Sequence, residues 1–243
     1  MSGRSTAVTT PTSSGPTTTQ PAPPARSPLR VVLLAVIGVG LLLLGGGLAV
    51  ALGIGRDSSA APTPTSDSVD AGFSRDMARH HQQGVEMANL VATHSQDPDV
   101  RRLAFDISST QTNQIGRMQG WLDLWGLPPS NGTTMAWLGG DMGGMTGMSG
   151  QGMGPESLMP GMATQAELDH LRSLSGKPFD VEFLRLMIRH HQGGLPMAQY
   201  AAKHAAEPAV RRLAETMAET QTAETTTMSA MLTARGGTPL PAP

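Results

Sequence analysis

Residues 77–104 read "MARHHQQGVEMANLVATHSQDPDVRRLA", and residues 187–214 read "MIRHHQGGLPMAQYAAKHAAEPAVRRLA". Positions 110 apart match without a gap at Asp70/Asp180, Phe73/Phe183, Met77/Met187, His80-His81/His190-His191, Gly84/Gly194, Met87/Met197, His94/His204, Pro98/Pro208, Gln111/Gln221 and Met118/Met228. A supersecondary unit that recurs in this way buries its apolar face by packing against its copy. The fold must therefore accommodate two equivalent halves.

Each half reads as a helical hairpin. The first helix runs from about Asp70 to His94. Asp97 caps the second, with Pro98 at its first helical position, and the helix ends near Trp125 before Gly126 and Pro128. In the copy, Glu207 and Pro208 open the last helix and Gly236 closes it. Phe73, Met77, His80, Gly84, Met87, Val91 and His94 follow alternating steps of four and three. So do Val100, Ala104, Ile107, Gln111, Gln114, Met118, Trp121 and Trp125. That is the spacing of shallow-angle helix packing. The predicted fold is all-α: an antiparallel four-helix bundle of two hairpins, residues 69–126 and 179–236, with a Met/Gly-rich connector at 127–178 and a tail at 237–243. Folding each hairpin about its turn places His80 opposite Gln114, Met77 opposite Met118 and Gly84 opposite Gln111. The copy places His190 opposite Glu224 and Gly194 opposite Gln221. Pro196 is predicted to kink the third long helix.

Ahead of the repeat, residues 1–28 are almost all Ser, Thr, Pro, Ala and Gly, the composition of a disordered tail. Residues 31–54 carry no charge, long enough for a membrane-spanning helix of roughly 20 residues, so 29–55 is predicted to be an anchor. A cleaved signal peptide ending near Ala49–Ala51 is the alternative. Arg4, Arg26 and Arg30 precede the span and no acidic residue comes before Asp57, which puts the N-terminus in the cytoplasm. A linker at 56–68 then leads to an outward-facing, single-pass, membrane-anchored domain. The net charge of −2 offers nothing to nucleic acid.

The repeated histidines set the chemistry. No cysteine is present, which removes thiolate sites and disulfides, while methionine reaches 16 residues. Buried His and Gln must satisfy one another or bind something. A carboxylate di-iron bundle needs Glu-x-x-His on its helices. Here the motif is Met-x-x-His-His, and the single Glu-x-x-His, Glu167 to His170, lies in the connector. Thioethers favour copper(I). The candidate ligands are Met77, His80, His81, Met187, His190 and His191, with Gln114 and Glu224 beside them and Met118 and Met228 on the facing helices. Met87, Met197, His94 and His204 sit too far along the helices to share that ion. They form separate levels, or else serve as core methionines and helix-end histidines. Met142, Met145 and Met148 in the connector make a mobile sulfur arm, or an incidental linker.

The pattern Asp70…Phe73…Met77-x-x-His80-His81-x-x-Gly84-x-x-Met87-Ala88, followed by Gln111…Met118…Trp121-Leu122, resembles family 305 of the domains of unknown function. That resemblance implies a ferritin-like helical domain, often secreted or anchored, with links to copper. The leading expectation is a copper-sequestering or copper-handover protein rather than an enzyme, with a second copy or another copper-handling protein as its partner. A copper oxidase, a histidine phosphotransfer bundle and a ligand-free helical interaction module are the other readings.

Overall fold

Helix boundaries come from local chemistry. The computed structural model describes residue 32 and residues 36–41, 63–131, 134–139 and 158–243. Two units divide the chain, Met1–Ala61 and Pro62–Pro243. In the first, Val32 and residues 36–41 are helical, and the rest of the predicted 29–55 anchor lies outside the described residues. Among the described residues no helix is long and apolar enough to cross a membrane.

Among the described residues of the second unit the long-range framework is five helices: α1 (Val69–His94), α2 (Pro98–Leu124), α3 (Gln165–Ser173), α4 (Gly176–His204) and α5 (Pro208–Ala234). Ser68 caps α1 by accepting from the Ala71 amide, and Asp97 caps α2 by accepting from Asp99 and Val100. Such caps satisfy amides that the helix itself leaves unpaired. Gly126 (φ 66°) and Gly236 (φ 75°) end α2 and α5 in the left-handed region that glycine enters without strain.

Helices α1 and α4 are buried around most of their circumference near the crossing, whereas α2 and α5 each bury one stripe. Close packing joins α1 to α2, α4 to α5, and α1 to α4. The two hairpins therefore meet through their first helices. Two apolar clusters result. One gathers Phe73, Met77, Met118, Met197, Ala201 and Met217. The other gathers Met87, Ile107, Phe183, Met187, Met228 and Leu232. Each cluster takes the start of one central helix and the end of the other, so α1 and α4 run antiparallel. Each fully buried Met or Phe contributes about 1.5–3 kcal/mol. Between the clusters lies the histidine layer.

The structure adds detail to the predicted segments and changes one seam. The 127–178 connector contains a helix, α3, started by a reciprocal capping box between Thr164 and Glu167. The second hairpin begins at Gly176, ahead of residue 179. The 237–243 tail packs on the core through Leu240, with the Thr238 carbonyl accepting from Arg185 Nε at 3.1 Å. Trp121 and Trp125 are only half-buried, and Leu122 holds the seam in their place, because the stripe drifts by one residue at the helix end. Pro196 sits inside a helix that continues to His204.

Residues 134–139 dock on α1. A Cβ on Gly72 would lie 2.3 Å from the Trp137 ring, so only glycine admits it. Asp76 accepts from Trp137 Nε1 and the Met135 amide, both at 2.7 Å. Burial raises the Asp76 carboxyl above its usual range, against the pull of those two hydrogen bonds. Leu186 stands at the matching position of the copy and is buried in an apolar cluster.

Candidate metal centre

Two adjacent residues on an α-helix point about 100° apart, and this separates the duties of each histidine pair. His81 turns toward its own hairpin: its Nε2 donates to Gln114 Oε1 at 2.7 Å. His191 does likewise, with Nε2 at 2.7 Å from Glu224 Oε2 and Nδ1 at 3.0 Å from the Met187 carbonyl. The predicted partners of His80 and His190 were Gln114 and Glu224; these belong instead to the following histidines.

His80 and His190 turn toward the opposite hairpin and meet each other, with ring centroids 3.9 Å apart. His190 Nε2 donates to the His80 carbonyl at 2.9 Å, and His80 Nε2 donates to the Pro160 carbonyl at 3.0 Å. With Nε2 carrying the proton, Nδ1 keeps a bare lone pair. The Nδ1 atoms of His80, His81 and His190 are buried and have no hydrogen-bond partner among the described residues. The same holds for Gln111 Oε1 and for both amide atoms of Gln221. Glycine makes the space. A Cβ on Gly84 would lie 2.3 Å from Gln111 Oε1 and 3.0 Å from His190 Cε1. One on Gly194 would lie 3.1 Å from Gln221 and from His80 Cε1. The predicted Gly84/Gln111 and Gly194/Gln221 pairings hold.

All four histidines of the layer are fully buried. Burial penalises the charged ring, pushing His80 down to about 4 and His81 down to about 3, where the neighbouring His80 adds repulsion. His190 is pushed well below its ordinary value for the same reasons. Neutral imidazoles with bare nitrogens are what a metal requires of histidine. Among the described residues no three His, Cys, Asp or Glu side chains stand together as a metal-holding group. An ion in this layer would draw on imidazole together with amide or thioether.

The methionines flank the layer. Met77, Met118 and Met197 lie in one apolar cluster, and Met87, Met187 and Met228 in the other. Met77 and Met187 thus sit on opposite sides of the histidines, one helical turn from His80 and His190 in sequence, instead of in one shared pocket. His94 is engaged at both nitrogens, with the Leu90 carbonyl at 2.9 Å and the Arg172 carbonyl at 3.1 Å, and it stacks on Phe179. It ties the hairpin turn to α3. His204 is exposed and stacks on Tyr200. Met142, Met145 and Met148 lie outside the described residues. Glu167 caps α3 and pairs with Arg189, which hold its carboxyl down at about 2.

Sequence reasoning missed three contributors: Gln83, Pro160 and Gly193. The signal for Gln83 and Gly193 was present in the mismatch between "HHQQG" and "HHQGG", where the second copy gives up a glutamine for a glycine.

Fold and site together define a duplicated helical-hairpin protein with a buried histidine layer at the crossing of its halves. The chain belongs to the family described as Domain of unknown function (DUF305), whose model matches residues 70–232. A DUF305 protein from Streptomyces coelicolor is 44% identical, covering 72% of this chain and 99% of that one, with a TM-score of 0.63. A DUF305 fragment from Deinococcus radiodurans is 32% identical over 71% of this chain and 99% of that one, with a TM-score of 0.56. CopM in its Cu(I)-bound form shares the fold at 24% identity, covering 69% of this chain and 98% of that one, with a TM-score of 0.50. No curated protein matches the chain.

Proposed function

We propose that this chain is a membrane-anchored, outward-facing copper-binding protein that sequesters Cu(I) or hands it on. In this reading the four long helices act as a ferritin-like bundle around the histidine layer. The observation that carries it is the set of buried, neutral imidazoles whose Nδ1 lone pairs have no partner among the described residues. An unpaired buried acceptor costs about 1–3 kcal/mol, and a soft cation would relieve that cost at several of them. His80, His81 and His190 supply nitrogen, and Met77 and Met187 are the nearest thioethers along the same helices. Copper gains from both donor types, whereas Zn(II) and Fe(III) do not seek thioether. The Cu(I)-bound form of CopM, which has the same fold, supports the choice of metal.

The test is anaerobic Cu(I) titration of the full chain against a competing chelator. Replacing His80 and His190 by Gln should abolish tight binding while circular dichroism stays helical. Met77→Leu and Met187→Leu keep the side-chain volume and remove only sulfur, so they should weaken binding without unfolding. Unchanged affinity in all of these variants would remove copper from the layer. It would leave the histidines as a network that pairs the hairpins, a reading that the His190–His80 carbonyl bond favours.

A further inference from the structure

Beside the central histidines the repeat's symmetry is broken where residues 159–163 cross the layer. His190 donates to the carbonyl of His80. By symmetry His80 would donate to the carbonyl of His190, but it donates to Pro160 instead. The His190 carbonyl lies 3.0 Å from where a Cβ on Gly161 would stand, so the crossing segment occupies that neighbourhood. Matching positions of the two copies hold it from both sides. In the first copy, Gln83 grips the backbone of Ala163, accepting from its amide at 2.6 Å and donating to its carbonyl at 2.9 Å. In the second, Gly193 gives way: a Cβ there would stand 2.1 Å from the Pro160 oxygen and 2.5 Å from the Gly161 nitrogen. Gly161 adopts φ +80° with its own missing Cβ 2.4 Å from the Arg189 carbonyl. Met159 and Ala163 are buried at the two ends of the segment.

We propose that residues 159–163 are the positioning element of the histidine layer. The Pro160 carbonyl fixes His80 with its proton on Nε2 and its Nδ1 lone pair turned to the ligand, and Gln83 and Gly193 seat that carbonyl. This is the part an outer hydrogen-bond acceptor plays toward a metal-binding imidazole. Its consequence for binding rests on the copper reading above. The chain pays for one tautomer with two glycines and a buried glutamine, none of which offers the ligand an imidazole or a sulfur. The two central imidazoles are held by different means: His190 by a helix carbonyl that cannot leave without disrupting α1, and His80 by a loop carbonyl that can be displaced alone.

The test uses nitrogen-15 NMR of the metal-free full chain, which distinguishes Nδ1–H from Nε2–H imidazoles. In the wild type, His80 and His190 should both be Nε2–H. Gly193→Ala, a change to a better helix former, and Gln83→Ala should each leave His190 unchanged and convert His80 to a mixed tautomer. Gln83→Glu keeps the acceptor for the Ala163 amide but not the donor to its carbonyl, so its His80 should fall between. Cu(I) affinity should drop about 10–100-fold in the two disruptive variants. A wild-type His80 protonated at Nδ1 would overturn the proposal, as would His80 signals unmoved in both variants, or His190 moving equally. A wild type that bound no Cu(I) would defeat the copper reading, and the tautomer pattern would still decide the positioning.

Discussion

In the first hairpin His81 meets Gln114 at 2.7 Å, and in the second His191 meets Glu224 at the same distance. The geometry was duplicated but the chemistry was not. His81 Nδ1 has no partner among the described residues, while His191 Nδ1 faces the Met187 carbonyl. The first hairpin carries Asp76, which receives the loop at 134–139, and Gln83, which grips the loop at 159–163. The second has Leu186 and Gly193 at those positions. Both inserted segments are gripped by buried side chains of the first copy. The second copy yields room at Gly193 and adds Tyr200, whose hydroxyl accepts from the Gly139 amide at 2.9 Å, and Arg189, which donates to the Met162 carbonyl at 3.5 Å. A duplicated fold thus acquires one specialised half without altering the packing that holds the two together.

The largest contrast should appear in acid. Folded, His80 titrates at about 4 and His81 at about 3, against an ordinary 6.5, and His190 is shifted the same way. As pH falls through 6.5 the unfolded chain takes up protons that the folded layer refuses. Stability present above that point is therefore lost on acidification. Three such groups give a slope on the order of 4 kcal/mol per pH unit. Chemical denaturation at pH values between 6.5 and 4 should show it. Converting His80 and His81 to Gln should remove about two-thirds of the slope and His190→Gln about one-third. Equal slopes in all variants would exclude the layer as the source.

A smaller contrast is expected at the paired glycines. Alanine gains about 1 kcal/mol over glycine in a helix, while overpacking a core costs about 1–3 kcal/mol. Gly84→Ala drives a Cβ to 2.3 Å from Gln111, whereas Gly194→Ala meets its neighbours at 3.1 Å. Gly84→Ala should therefore be less stable than Gly194→Ala by about 1 kcal/mol or more in urea melts. Equal midpoints would show that Gln111 swings clear.

The smallest contrast lies at the second turn of the repeat. Asp97 caps α2 and pairs with Arg235, so Asp97→Ala should cost about 1 kcal/mol. Glu207 makes no side-chain cap, and the Asp70 carboxylate instead accepts from the Ala206 and Glu207 amides just ahead of the helix, at 3.0 and 2.7 Å. Glu207→Ala should shift the thermal midpoint by no more than experimental error. A matching loss there would mean that the helix dipole, rather than the cap, sets the effect.

Sequence by itself determined the duplicated hairpins, the starts at Pro98 and Pro208, the stops at Gly126 and Gly236, and the facing of Gly84 with Gln111. These follow from dihedral preferences, capping and helical period, which act over a few residues along one chain segment. Tertiary structure alone decided which histidine of each pair looks outward from its hairpin, because a single residue's step of about 100° exchanges one neighbour for another. It also parted Met77 from Met187, since antiparallel crossing of α1 and α4 sends matching residues to opposite sides of the layer. The seat of Pro160 on His80 joins residues 80 positions apart, and no local rule of spacing encodes a contact that depends on where two helices cross.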